Sequence, residues 1–196
     1  THRFKTVASG SADATISWTT NMIIDINSRL NLSNNGGTGN TVFGYQACNF
    51  SNAGQHVAVG HKAMEGHSTA GDNTGLYNVA IGYNSLGGNQ ADGVALTCDN
   101  TVAIGHSAMR QCTTGDDNTV IGAGAGVAIT TLGECTLIGK SAGQALTTTG
   151  TGQNGTVAVG HSALGALTSG QGNVAVGFES LLTEDTGDFN TAVGYQ

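Results

Sequence analysis

Proline is absent from this 196-residue chain. Proline cannot donate to a β-ladder and is expelled from strands paired on both sides, so its absence suits an array in which nearly every strand is interior. Charge is scarce as well. Lys and Arg number 6 and Asp and Glu 13, giving a net charge of −7, and only Glu134 and Lys140 fall between Gly122 and Glu179. On stacked strands, equivalent residues lie about 4.8 Å apart, where like charges repel; a stacked surface therefore favours few charges. The six basic residues form no stripe, which argues against nucleic-acid binding. No run approaches the ~18 apolar residues that cross a bilayer, so no membrane insertion is expected. An initiator Met is missing and the chain stops inside a repeat at Tyr195-Gln196, as expected of a segment of a longer chain.

What the chain has instead is glycine, 32 residues of it, and one recurring phrase: two β-branched residues around a small one, then glycine. It reads Thr-Val-Ala-Ile-Gly at 101–105 and Val-Ala-Val-Gly at 57–60, 157–160 and 174–177. The repeat glycines are Gly44, Gly60, Gly82, Gly105, Gly122, Gly139, Gly160, Gly177 and Gly194. Most are separated by 16 or 17 residues, with three longer intervals. A short fixed period with loop-like insertions is the pattern of a solenoid, each repeat one coil stacked on the last. Regularly placed Val and Ile set it apart from low-complexity disorder. The predicted fold is all-β: a parallel β-solenoid, or β-roll, of about nine short coils over 40–196, with about 40 Å of rise at ~4.8 Å per coil. Residues 1–39 fall outside the repeat. Thr15–Trp18 and Met22–Ile26 read as strands of an N-terminal cap or connector.

With the repeat glycine as position zero, position −1 is Phe43, Val59, Ile81, Ile104, Ile121, Ile138, Val159, Val176 and Val193, and −3 is Val or Thr. Side chains two apart on a strand share a face, and this face is expected to form the core. Position −2, mostly Ala, then points outward as a flat surface suited to another copy of the chain. The glycine is expected to supply a positive φ or tight corner. Each coil has room for two strands of about five residues. Asn at −4 (Asn40, Asn78, Asn118, Asn173, Asn190) suggests stacked amide ladders. Insertions at 65–77, 87–99 and 147–155 read as loops.

Sites of chemistry are sparse. Cys48, Cys98, Cys112 and Cys135 lack C-x-x-C spacing, against structural zinc. Cys98 and Cys112 flank Gly105 symmetrically; a disulfide could clip this coil shut, or two buried thiols could remain. His61, His106 and His161 share position +1 but lie on non-adjacent coils, which favours packing or surface roles over metal. Gly36–Asn40 is a weak likeness to a calcium-binding turn. Glu65 with Asp72, and Asp92 with Asp99, are the carboxylate pairs closest to a glycosidase arrangement. No catalytic constellation or cofactor site emerges, so the expectation is a non-enzyme. An ice-binding face fares no better, because Val interrupts Thr at −3.

Asn190-Thr-Ala-Val-Gly-Tyr-Gln196, Asn40-Thr-Val-Phe-Gly-Tyr-Gln-Ala47 and Asn78-Val-Ala-Ile-Gly-Tyr-Asn-Ser-Leu86 resemble the N-T-A-V-G-Y-Q-A-L repeats of bacteriophage tail fibres. The Asn100–Gly105 form is similar to the head repeat of trimeric autotransporter adhesins. That resemblance implies a left-handed roll with three chains side by side, although the adhesin repeat is nearer fourteen residues. The function it implies is a homotrimeric shaft of a virion tail fibre, spacing or presenting a receptor-binding tip, with insertion loops touching host glycans. The alternative is a bacterial surface adhesin head binding host matrix or glycans.

Overall fold

The computed structural model describes residues 2–7, 18–24, 30–31, 39–48, 54–66, 74–87, 95–147 and 154–196, the first three stretches as backbone only. Near the N-terminus β1 (His2–Val7), β2 (Trp18–Ile24) and β3 (Leu30–Asn31) form a three-stranded antiparallel sheet. One strand, Trp18–Ile24, thus spans ground where two had been expected. Residues 15–17 and 25–26 of those expected strands lie outside the described residues.

The repeats form a second, all-parallel sheet of nine strands in sequence order. These are β4 (Thr41–Phe43), β5 (Val57–Val59), β6 (Val79–Ile81), β7 (Val102–Ile104), β8 (Thr119–Ile121), β9 (Thr136–Ile138), β10 (Val157–Val159), β11 (Val174–Val176) and β12 (Thr191–Val193). Each strand is positions −3 to −1 of its coil. Equivalent residues pair throughout, as in Val79↔Val102, Ala80↔Ala103 and Ile81↔Ile104. The fold is therefore a β-solenoid of about eight turns, with no helix among the described residues. Each coil carries one three-residue strand rather than two longer ones.

Tight corners make up much of the remaining circumference, and they lie at fixed positions. The repeat glycine has φ between 131° and 147° in every coil, as its role required. Three further positions are left-handed. Position −5 includes Gln55, Tyr77, Asn100, Asp117, Glu134 and Phe189; +2 includes Lys62, Asn84, Ser107 and Ser162; +4 includes Met64, Leu86, Met109 and Leu164. Left-handed backbone costs a non-glycine residue roughly 1–2 kcal/mol. Hydrogen bonds between coils offset that cost: Lys62 N–H donates to Tyr45 O at 2.9 Å and Met64 N–H to Ser85 O at 2.8 Å. The +2 amide reaches back one coil and the +4 amide reaches forward, so the corners continue the ladder that the short strands begin.

The interior overturns the expected facing of the strands. Ala58, Ala80, Ala103, Ala158 and Ala175 at −2 are 0% exposed, as are Val120 and Leu137 at the same position. The residues expected to form the core point the other way. Val59, Ile104, Ile121, Val159 and Val176 are only partly covered, and Phe43, Ile81, Ile138 and Val193 are exposed. The physical reason is cross-section. Facing −2 across the coil are the +4 side chains, Met64, Leu86, Met109 and Leu164, all fully buried, which leave room for little more than a methyl. Coils 5 and 6 make the same point in reverse. There −2 is Val120 and Leu137, and +4 is Gly126 and Gly143. A Cβ on Gly126 would lie 2.9 Å from both Ile129 Cδ1 and Leu137 Cδ1, and one on Gly143 would lie 2.7 Å from Leu146 Cδ1 and 3.0 Å from both Leu137 methyls, so +7 residues share this space with −2. Large and small side chains trade places across a space of near-constant volume, as close packing requires.

Asn78, Asn118 and Asn173 at −4 are buried too, while Asn40 and Asn190 are partly covered, but the ladder runs to backbone rather than to other amides. Asn118 Oδ1 accepts from Cys135 N–H at 3.0 Å, while its Nδ2 donates to Gly115 O at 3.1 Å and Leu132 O at 2.9 Å. Asn78 repeats this on the next coil's Thr101 N–H and Cys98 O, at 2.8 and 2.6 Å. One amide thus brackets the coil above, satisfying groups that would be costly to bury unpaired.

Candidate interaction surface

Because the alanines face inward, the β-branched pairs form the outer face of the sheet. Positions −3 and −1 place two columns of Val, Ile and Thr side by side along the nine paired strands. At about 4.8 Å per coil the face is roughly 40 Å long and about 10 Å wide. Its area, on the order of 400 Å², is in the range of functional patches on soluble proteins. Solvated strand faces usually carry polar side chains; this one carries Ile81 and Ile138 at 36% and 37% exposure.

Beyond the glycine corner, position +1 builds a column of rings. Tyr45, His61, Tyr83 and His106 follow one another with centroids 5.5, 5.2 and 5.2 Å apart, stacked except for the His61–Tyr83 pair, whose planes are tilted by 40°. His161, Phe178 and Tyr195 form a second stack at 5.1 and 5.3 Å. Between the stacks stand Ala123 and Lys140. Backbone bonds from Gly124 N–H to His106 O, Ser141 N–H to Ala123 O and Ser162 N–H to Lys140 O, at 2.9, 3.0 and 2.9 Å, keep all of these in one column. The three histidines are therefore rungs of ring stacks, separated by other coils. No group of three metal-ligating side chains occurs among the described residues.

Cys98 and Cys112 are brought together as free, fully buried thiols rather than a bridge. Thr97 N–H donates to Thr113 O at 2.7 Å beside them. The hydrogen bond between the two thiols, with burial, holds Cys98 well above the usual thiol range. Burial also raises Cys135, and pushes Cys48 up to about 11. Such thiols are poor nucleophiles. Asp72, Asp92 and residues 36–38 lie outside the described residues, as do 67–73, 88–94 and 148–153 of the three insertions. Glu65 is buried and pairs with Lys62 Nζ at 3.1 Å. Asp99 uses its carboxylate to accept Leu76 N–H at 2.6 Å.

One residue that sequence reasoning passed over is His56. It takes the −4 position of its coil, is 1% exposed, and its Nδ1 accepts Asn78 N–H at 3.2 Å. It thus stands in for the missing asparagine. Burial lowers its pKa from 6.5, against smaller opposing pulls from the Gly75 carbonyl and Asp99. Its place in the asparagine column was the available signal. No family model, curated protein or solved structure matches this chain.

Proposed function

We propose that this chain is a structural fibre segment, part of a phage tail fibre or similar virion appendage, which acts as a shaft and carries out no catalysis. Three copies associate side by side through the outward β-branched face, so the alanine face expected to do this is replaced by its opposite. The observation that carries the reading is the solenoid's outward column of Val, Ile and Thr, half-covered in most coils and exposed at Phe43, Ile81, Ile138 and Val193. Covering it would remove roughly 400 Å² of apolar surface per chain from water, and a homo-oligomer does this with one repeated contact. The number three rests on the resemblance of the repeats. Host glycans or receptors would meet the fibre at the insertions or at a tip beyond this segment.

The second reading is a bacterial surface adhesin whose coils bind host matrix or glycans. The exposed ring columns favour it, since stacked aromatics on an outer corner offer a contact surface. Native mass spectrometry and electron microscopy of the 196-residue chain test the shared part of both readings. Three-chain rods with about 40 Å of repeat support it, and a stable single chain overturns it. Sequencing outward from the repeat separates the two: a chaperone-type or baseplate-attachment domain marks a virion fibre, and a secretion signal with a membrane anchor marks an adhesin.

A further inference from the structure

Position −6 forms a polar column that ties coils together. Asp99 Oδ1 accepts Leu76 N–H at 2.6 Å, Asp116 Oδ1 accepts Asp99 N–H at 2.8 Å, and Asp188 Oδ1 accepts Gln171 N–H at 2.9 Å. Asn154 fills the same place with an amide, its Oδ1 accepting Gly133 N–H at 3.2 Å. The residue after it is Gly155, and both are exposed. An asparagine followed by glycine is the pair most prone to ring closure, because no side chain shields the glycine nitrogen from the asparagine Cγ.

Three local features favour that closure. The hydrogen bond from Gly133 N–H draws electron density from the Asn154 carbonyl and would hold the oxyanion that forms when Cγ is attacked. The amide that must attack is released from the ladder between coils. Its counterparts at −5 donate to the −6 carbonyl of the coil below: Asn100 to Leu76, Asp117 to Asp99 and Glu134 to Asp116, at 3.0, 3.1 and 3.0 Å. Gly155 N–H instead meets the Cys135 thiol, a weak acceptor. Finally, a Cβ built on Gly155 meets nothing within 4 Å, which leaves space for the ring.

We propose that Asn154 is a self-modification site, deamidating through a succinimide closed by Gly155. The Gly155 nitrogen bonds to Asn154 Cγ, the Cγ–Nδ2 bond breaks, and the Gly155 amide proton leaves with that nitrogen as ammonia. Water then opens either carbonyl of the ring, giving aspartate or isoaspartate, and no oxidant or reductant is needed. Aspartate at this position does what Asp99, Asp116 and Asp188 already do, with a charge-assisted bond in place of a neutral one. Its column neighbours Gly133 and Gln171 are uncharged, so the new carboxylate meets no like charge in its column at the ~4.8 Å coil spacing. The proposal goes beyond the assembly reading and does not depend on it.

Peptide-mapping mass spectrometry of the 196-residue chain, aged folded and aged in urea at mildly alkaline pH, tests it. In the folded chain the Asn154 peptide should exchange NH2 for OH at least about tenfold faster than the Asn118 peptide, whose asparagine precedes threonine. Its rate should match or exceed the rate in urea. Asn154→Gln should abolish the change, and Asn154→Asp should leave the thermal midpoint where it was. An unmodified Asn154, or one that changes more slowly folded than in urea, would overturn the proposal. A lowered midpoint in Asn154→Asp would overturn it too, because the column would then reject the product.

Discussion

The inner and outer faces of the same three-residue strands follow opposite rules. Inside, −2 is small wherever +4 is large and large wherever +4 is glycine, so each residue answers to the one across the coil. Outside, −3 and −1 are β-branched in nearly every coil whatever the interior does. The interior is a volume constraint between two points of one coil, whereas the exterior is a uniform face repeated along the column. Among the described residues nothing fully covers this β-branched face, and the proposed assembly places its contact there.

The largest effect expected from this difference lies inside. Ala103→Asp would place an unpaired carboxylate in a fully buried column and lower stability by about 3–5 kcal/mol in urea unfolding. Ile104→Asp, one residue on, would change the stability of the lone chain by under about 1 kcal/mol. Equal losses at both positions would remove the distinction between the faces.

A double-mutant cycle sharpens the interior half. Leu137→Ala should cost about 2–5 kcal/mol by opening a cavity, and Gly143→Leu alone should overpack the same space. Combined, they reproduce the Ala/Leu pairing of the coil holding Ala80 and Leu86, and most of the loss should be recovered, with coupling of about 1–3 kcal/mol. Additive losses would mean that −2 and +4 do not share the space.

At the corners the expected effect is smaller. A Cβ on Gly105 would lie 2.6 Å from Gly122 O in the next coil, at φ 135°, and Gly105→Ala should cost about 2–3 kcal/mol. Gly155, with φ 77° and open space around it, should lose about 1 kcal/mol on the same change. Thermal unfolding of both variants measures the gap.

The smallest effect is the pH response of His56. Above pH 6.5, its ordinary value, the imidazole is neutral in both folded and unfolded chains and its contribution is fully present. As pH falls below that value the unfolded chain takes up a proton before the folded one does, so stability should decline until the lowered folded pKa is passed. Urea midpoints between pH 7.5 and 5 should fall in the natural chain. The fall should be smaller in His56→Asn, which restores the amide found in neighbouring coils.

Much of the fold was readable from the period of the glycines. All nine strands fall at −3 to −1, the glycine is the corner, and the array is parallel. Which face lies inside was not readable from alternation alone. Period two groups Val57 with Val59 against Ala58, but when both faces are apolar it assigns neither. Bulk suggested that Ile belongs inside; the narrow coil reverses this. The deciding signal was in the sequence, in the exchange between Leu137 with Gly143 and Ala80 with Leu86. It is a relation across six positions that a strand pattern does not inspect. The left-handed corners at +2 and +4 were hidden for a different reason. Met64, Leu86 and Leu164 hold that backbone conformation through hydrogen bonds to neighbouring coils, a tertiary demand that local propensity opposes.

Sedimentation velocity on the natural chain and on the Ile104→Asp/Ile121→Asp double variant tests the outer face most directly. The natural chain should sediment as three copies. The double variant should sediment as single chains whose circular dichroism still reports an intact β-solenoid. A natural chain that stays single, or a double variant that still assembles in threes, would contradict the assignment of the β-branched face to assembly.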